Sequence, residues 1–350
     1  MRGITEAAHG ALDYGELAER GLCPDEVLDF SANLNPFAPL PAVKDAIRHV
    51  DVSAYPDRDN TALRYALAEY LSWDAEGILA GNGSTELIGF AALSYLRPSD
   101  KVVVVGPTFG EYERAARIMG AEVYHWAASS AEGFEPEAAE ELIRRIQPRM
   151  AFVCRPNNPT GQTVSARTLA KWLRAAPQTL FVIDEAYLEL SNQAESALTL
   201  NALNALVLRS MTKAFGLAGL RLGYAVGLSE VIGVLRRVRP PWSVNAMAEA
   251  AGQAVLRNIK RGETLTARWR AESQRLRGAL HELGLSPLPS DVPFFLLPVG
   301  DAALVREQLL ARRINVRDCT SFGLPEYIRI SPRGSEDNQK LIAGLRETVL

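Results

Sequence analysis

Residues Arg209 to Tyr224 read RSMTKAFGLAGLRLGY. The stretch follows directly on an apolar β-type run, Ala205-Leu206-Val207-Leu208, and opens with a polar cluster of Ser210, Thr212 and Lys213. A strand that ends on polar residues and turns through glycines is where α/β proteins collect their reactive groups. A lysine in a partly closed site loses its proton at modest cost and can form a Schiff base with an aldehyde. Arg221 keeps its charge and suits a permanent anion.

Outward from this segment the chain alternates regularly. Strand-like runs at Lys101–Val105, Glu122–Trp126, Met150–Cys154, Leu180–Ile183, Ala205–Leu208 and Leu222–Val226 are separated for the most part by helical patterns. The helical patterns include Thr85–Leu96, Tyr112–Met119, Pro136–Ile146 and Ala166–Ala175. This spacing predicts an α/β fold with a largely parallel sheet covered on both faces. The two runs flanking the lysine segment are close enough for an antiparallel pair. Upstream, DFSANLNPFAP reads as an extended crossing segment, followed by helices at Pro41–His49 and Thr61–Leu71 with Tyr55 in the polar loop between them. Downstream, Ala246–Glu282 reads as helical, with Gly262 its main interruption. Short strands at Pro293–Leu297, Ile314–Arg317 and Tyr327–Ser331 alternate with helices at Ala302–Arg312 and Glu336–Val349, forming a small α+β unit.

A chain of 350 residues, 47% hydrophobic and 23% charged, has the composition of a globular protein with room for two domains. Its net charge of −3 gives no electrostatic basis for binding nucleic acid or an anionic membrane. No run approaches transmembrane length and the first residues lack a signal-peptide core, so a cytoplasmic location is expected. The three cysteines are scattered and the four histidines make no ligand spacing, so neither a disulfide framework nor a metal site is expected.

Each strand exit carries a motif. GNGSTE, Gly81 to Glu86, places small residues at a helix start, where free backbone N–H groups can hold a phosphate; a plain capped helix reads the same way. PTFGEY puts Phe109 after the valine strand, either to stack on a flat heterocycle or as a core residue. RPNNPTG demands a specific turn, and Asn158 within it can donate to a phenolate oxygen. IDEAY ends a strand on Asp184, which when buried needs a positive partner such as a protonated pyridine nitrogen. Tyr187 lies near enough to reach a ring hydroxyl. An aldehyde, a phosphate, a phenolate and a pyridine nitrogen together describe pyridoxal 5′-phosphate. A nucleotide-binding α/β protein would leave Lys213 and IDEAY unexplained. A cofactor-binding regulator would need a DNA-binding module ahead of the core, and none is legible.

Taken together, these motifs resemble the fold-type I pyridoxal-phosphate enzymes of the class I/II aminotransferase group, across nearly the whole chain. The resemblance implies a three-layer αβα large domain over residues 36–244, a smaller α+β domain over 245–350, and an arm, 1–35, that joins the small domain. It implies that Lys213 carries the cofactor, Asp184 pairs with the ring nitrogen, Asn158 and Tyr187 hold the ring oxygen and Phe109 stacks. Gly83, Ser84, Thr85, Ser210, Thr212 and Arg221 would hold the phosphate. A homodimer with shared sites is implied, in which Tyr55 reaches the partner's cofactor.

Two branches fit. His9-Gly10, DFSANLNP and PPWSVNAMA resemble threonine-phosphate decarboxylase, which makes (R)-1-aminopropan-2-yl phosphate for cobalamin, and this is the favoured expectation. The alternative is amino transfer with 2-oxoglutarate of the histidinol-phosphate type. In either, a small phosphorylated amino substrate is expected on His9, Asn33, Arg317 and Arg329, with Lys213 moving the proton at Cα. Arg155 and Phe294 depart from the group's pattern, where a small or polar residue and an asparagine are usual.

Overall fold

The computed structural model describes residues 9–127, 131, 133 and 135–349. The chain begins with α1 (Tyr14–Glu19), whose N-cap Asp13 accepts from the Gly15 and Glu16 amides, and a short strand β1 (Leu28–Asp29). Helices α2 (Pro41–Arg48) and α3 (Thr61–Leu71) lead into the large unit. There β2 (Ile78–Asn82), α4 (Ser84–Tyr95), β3 (Lys101–Gly106), α5 (Glu111–Ile118), β4 (Glu122–Ala127), α6 (Pro136–Ile146), β5 (Met150–Cys154), α7 (Ala166–Ala175) and β6 (Leu180–Asp184) follow in turn. The lysine segment forms β7 (Ala205–Ser210), α8 (Met211–Ala214) and β8 (Leu222–Gly227), and α9 (Ser229–Val238) closes the unit.

These strands make one seven-stranded sheet in the order β2-β8-β7-β6-β5-β3-β4, parallel except for β8. Alternation along β3 shows both faces covered. Val102 and Val104 pack with Leu87, Ile88 and Tyr112 of α4 and α5, while Val103 and Val105 pack with Ile143 and Trp172 of α6 and α7. The mixed α/β, three-layer architecture expected from the sequence is present. Because β8 runs against both neighbours, its start lies beside the ends of β2 and β7: Asn82 faces Leu222, and Gly223 faces Ser210. The loops after β2, β3, β5, β6 and β7 and the loop before β8 therefore open at one edge of the sheet.

Helix α10 (Ala246–Arg257) packs on α2 and α3, and its Ala248, Ala251 and Val255 share a core with Leu63, Tyr224 and Val226. The chain from 246 to 257 thus packs with the large unit's core. Helix α11 (Ile259–Glu282) bridges the two cores, with Trp269 in the large one and Leu276 and Leu280 in the small one. The break between α10 and α11 falls at Asn258, not Gly262, whose missing side chain leaves room for the Phe215 ring inside the helix line.

The small unit contains β9 (Phe295–Pro298), α12 (Ala302–Ala311), β10 (Ile314–Asn315), β11 (Arg317–Asp318), β12 (Tyr327–Ile330) and α13 (Ser335–Val349). Strands β11, β12 and β9 form an antiparallel sheet, while β1 pairs in parallel with β10, bringing Phe30 into the small core. The run expected as one strand over Ile314–Arg317 is two short strands in different sheets. Among the described residues, no helix is long and apolar enough to cross a membrane, and no cluster of side chains suits a metal ion.

Candidate functional site

Lys213 sits in the single turn of α8, immediately after β7 and capped by Ser210, whose Oγ accepts from the Thr212 amide at 3.3 Å. Of the chain's six lysines, Lys44, Lys101, Lys171, Lys260 and Lys340 are exposed and Lys213 is not. Burial lowers the Lys213 pKa to about 8, with Arg329 and Arg221 pushing the same way and Asp184 opposing. Near neutral pH a useful fraction of its amine is therefore unprotonated.

The Lys213 cavity has a volume of about 420 Å³, and its walls include His9, Asn33, Thr85, Phe109, Asn158, Tyr187, Arg221 and Arg329. A narrower recess behind it adds Ser84, Tyr112, Cys154, Asp184, Ser210 and Thr212. The structure thus gathers residues from the end of every central strand around one lysine. Gly83, at the N-cap of α4, has a positive φ of 80°, and a Cβ there would meet the Arg221 guanidinium at 2.6 Å. The glycine is needed for this approach. With Ser84, Thr85, Ser210 and Thr212 it leaves a cradle of N–H and O–H donors and one fixed cation, suited to a phosphate.

On the other side Asp184 Oδ1 accepts from the Ala186 amide at 2.9 Å, and Oδ2 accepts from the Tyr112 hydroxyl at 2.7 Å. Burial raises the Asp184 pKa against these two bonds. A protonated ring nitrogen would compensate the buried carboxylate. Tyr187 accepts from Asn33 Nδ2 at 3.3 Å, and burial pushes its hydroxyl up to about 12. The paired asparagines divide their labour. Asn157 ties two loops together through Thr108, Pro107 and Thr160, whereas Asn158 faces the cavity and accepts from Arg329 Nη1. Arg329 also donates to the Ser31 carbonyl at 2.6 Å, and its Nε and Asn33 Oδ1 are buried without a partner among the described residues. Phosphate cradle, ring-nitrogen acid, ring-oxygen donors and stranded polar atoms fit pyridoxal 5′-phosphate with a polar substrate above it.

The remaining residues fall at different distances from the cavity. His9 lines it, with its ring 5.6 Å from Phe109 and Nε2 3.1 Å from Glu111. Arg317 does not line it; this residue faces Arg329 across β11 and β12, donates to the His9 carbonyl at 3.2 Å and lies over Phe322, which does line it. Tyr55 is 81% exposed, stacks on Trp242 at 4.6 Å and is not a wall of this cavity.

Arg155 points away from the cavity, donating to Glu185 Oε1 at 2.8 Å and to the Val164 and Glu195 carbonyls. Phe294 is fully buried and sits edge-on to Tyr187 at 4.9 Å. Tyr112 was missed as a site residue, although it lies inside the PTFGEY motif.

The aminotransferase class I and II family profile matches residues 25–345. A histidinol-phosphate aminotransferase of Symbiobacterium thermophilum is 37% identical over 337 residues, 95% of this chain and 93% of that protein. A threonine-phosphate decarboxylase of Salmonella typhimurium is 34% identical over 362 residues, 99% of this chain and 98% of that protein. Among solved structures, the Sinorhizobium meliloti histidinol-phosphate aminotransferase in complex with pyridoxal-5′-phosphate shares the fold with a TM-score of 0.90 at 23% identity, covering 100% of this chain and 97% of that one. The chain belongs to the class I and II aminotransferase family and is an enzyme whose cofactor is pyridoxal 5′-phosphate.

Proposed function

From that membership, we propose that the enzyme transfers the amino group of a small phosphorylated amine to a 2-oxo acid, in the manner of a histidinol-phosphate aminotransferase. The observation that carries this reading is near-full-length likeness, at 37% identity, to a relative of that name. It reverses the preference drawn from His9-Gly10, DFSANLNP and PPWSVNAMA. Those motifs, and the 99% of this chain spanned by the match to a threonine-phosphate decarboxylase, support decarboxylation of L-threonine O-3-phosphate as the second reading.

The bound cofactor supplies an electron sink for a bond broken at the substrate's Cα. The protein's residues decide which bond that is. Asp184 holds the ring nitrogen, Asn158 and Tyr187 the ring oxygen, and Phe109 covers the ring face. Gly83, Ser84, Thr85, Ser210, Thr212 and Arg221 fix the phosphate. Lys213 carries the cofactor and moves the proton at Cα. Arg329, with Arg317 and His9 behind it and Asn33 beside it, orients the substrate's anionic groups. We further propose a homodimer in which exposed Tyr55 completes the partner's site.

The cofactor-loaded enzyme should form glutamate from 2-oxoglutarate when given histidinol phosphate. Release of CO₂ from L-threonine O-3-phosphate, without glutamate formation in the first assay, would move the enzyme to the decarboxylase reading.

A further inference from the structure

A second cavity shares no wall residue with the Lys213 cavity. It holds about 730 Å³ between the end of α3, the chain beyond β6 and the N-terminal half of α11. Ile259, Glu263, Thr266 and Arg270 line it from α11, spaced so that they share one helical face. Tyr70, Trp73 and Phe215 give it an aromatic wall, and Glu189 and Arg209 also line it. The volume is that of a small-molecule site.

Two groups here have unfilled capacity. Glu189 Oε1 accepts from Arg209 Nη1 at 2.7 Å, but Oε2 is buried with no partner among the described residues. Arg270 makes, among the described residues, one long hydrogen bond of 3.5 Å to the Leu190 carbonyl and no ion pair. Burial lowers the proton affinity of its guanidinium. The buried Glu189 oxygen is costly to leave unpaired unless something else completes it. Glu263 stands with Glu189 beside Tyr70, whose hydroxyl is held up by burial and then by both carboxylates. Glu263 and Arg270 are two turns apart, about 10 Å along the axis, a gap that two long side chains can close around a small ligand.

An anion alone would meet Glu189 and Glu263, and a cation alone would meet Arg270 and Arg209, the latter already paired with Glu185 and Glu189. We propose that this cavity binds a free α-amino acid with an apolar or aromatic side chain. Its ammonium lies against Glu189 and Glu263, its carboxylate on Arg270, and its side chain on Tyr70, Trp73 and Phe215. This site is separate from the catalytic cavity and does not depend on which reaction Lys213 serves.

The test uses cofactor-loaded enzyme treated with borohydride, so that the cofactor is fixed on Lys213 and amino acids cannot react there. The common L-amino acids are screened singly at about 5 mM for a rise in melting temperature, and those that raise it are titrated by calorimetry. The expected result is saturable binding of an apolar or aromatic amino acid, one per chain. Arg270→Met and Glu263→Gln should each weaken binding at least about tenfold, and untreated samples of both variants should keep normal turnover. Absence of binding by any amino acid would overturn the proposal. Binding that survives unchanged in both variants would overturn it too, because the ligand would then lie elsewhere.

Discussion

Tyr112 donates its hydroxyl hydrogen to Asp184 Oδ2 at 2.7 Å, and both side chains are buried. The tyrosine ring stacks on Phe152 at 5.2 Å and meets Phe109 edge-on at 5.6 Å, so the donor is fixed from behind. The carboxylate proposed to pair with the cofactor's ring nitrogen is therefore aimed by a neutral donor on α5.

Tyr112→Phe keeps the packing and removes this bond. A hydrogen bond to a charged group contributes about 1.5–3 kcal/mol, so cofactor affinity should fall about tenfold or more. Equilibrium dialysis of the apo-enzyme against pyridoxal phosphate measures it. Unchanged affinity would make Tyr112 a packing residue only.

The Lys213 pKa of about 8 lies below the ordinary lysine value, so the folded protein holds this proton less tightly than the unfolded chain does. The free amine, and with it the rate of cofactor uptake by apo-enzyme, should rise with pH through a midpoint near 8 rather than near 10.5. Arg329→Met removes a nearby cation and should move that midpoint up. A midpoint that stays put in the variant would mean that Arg329 does not act on Lys213.

Arg155 and Arg209 both bind Glu185, which also accepts from Ser196 Oγ and the Ala197 amide. This cluster ties together the ends of β5, β6 and β7 on the side away from the cavity. Breaking a buried pair from one side costs about 3–5 kcal/mol. Arg155→Met should lower unfolding free energy by about 3 kcal/mol in denaturant, since Arg209 remains on Glu185, and should leave the KM for phosphorylated substrate unchanged. A raised KM with intact stability would place Arg155 in substrate binding instead.

Much of this was legible because the chemistry is local. Each motif follows its own strand, and parallel strands with one reversed neighbour bring the exits to one edge. Pairings across the chain were not legible. Tyr112 lies 72 residues from Asp184, and nothing in PTFGEY distinguishes it from Phe109. Arg155 stood out only as a departure from the group's pattern, because its partner Glu185 lies 30 residues on, in a motif already assigned to Asp184. Strand β2 escaped notice as Ile-Leu-Ala-Gly-Asn, a run with few good strand formers. Gly262 suggested a break, but the structure uses it as space for Phe215.

One measurement asks directly whether Lys213 carries the cofactor. Cofactor-loaded enzyme is reduced with borohydride and digested, and the peptides are weighed by mass spectrometry. The added cofactor mass should fall on the peptide containing Lys213, and should be lost, together with the visible absorption band and turnover, in Lys213→Ala. Reduced cofactor on an exposed lysine such as Lys171 or Lys260, with Lys213 unmodified, would contradict it.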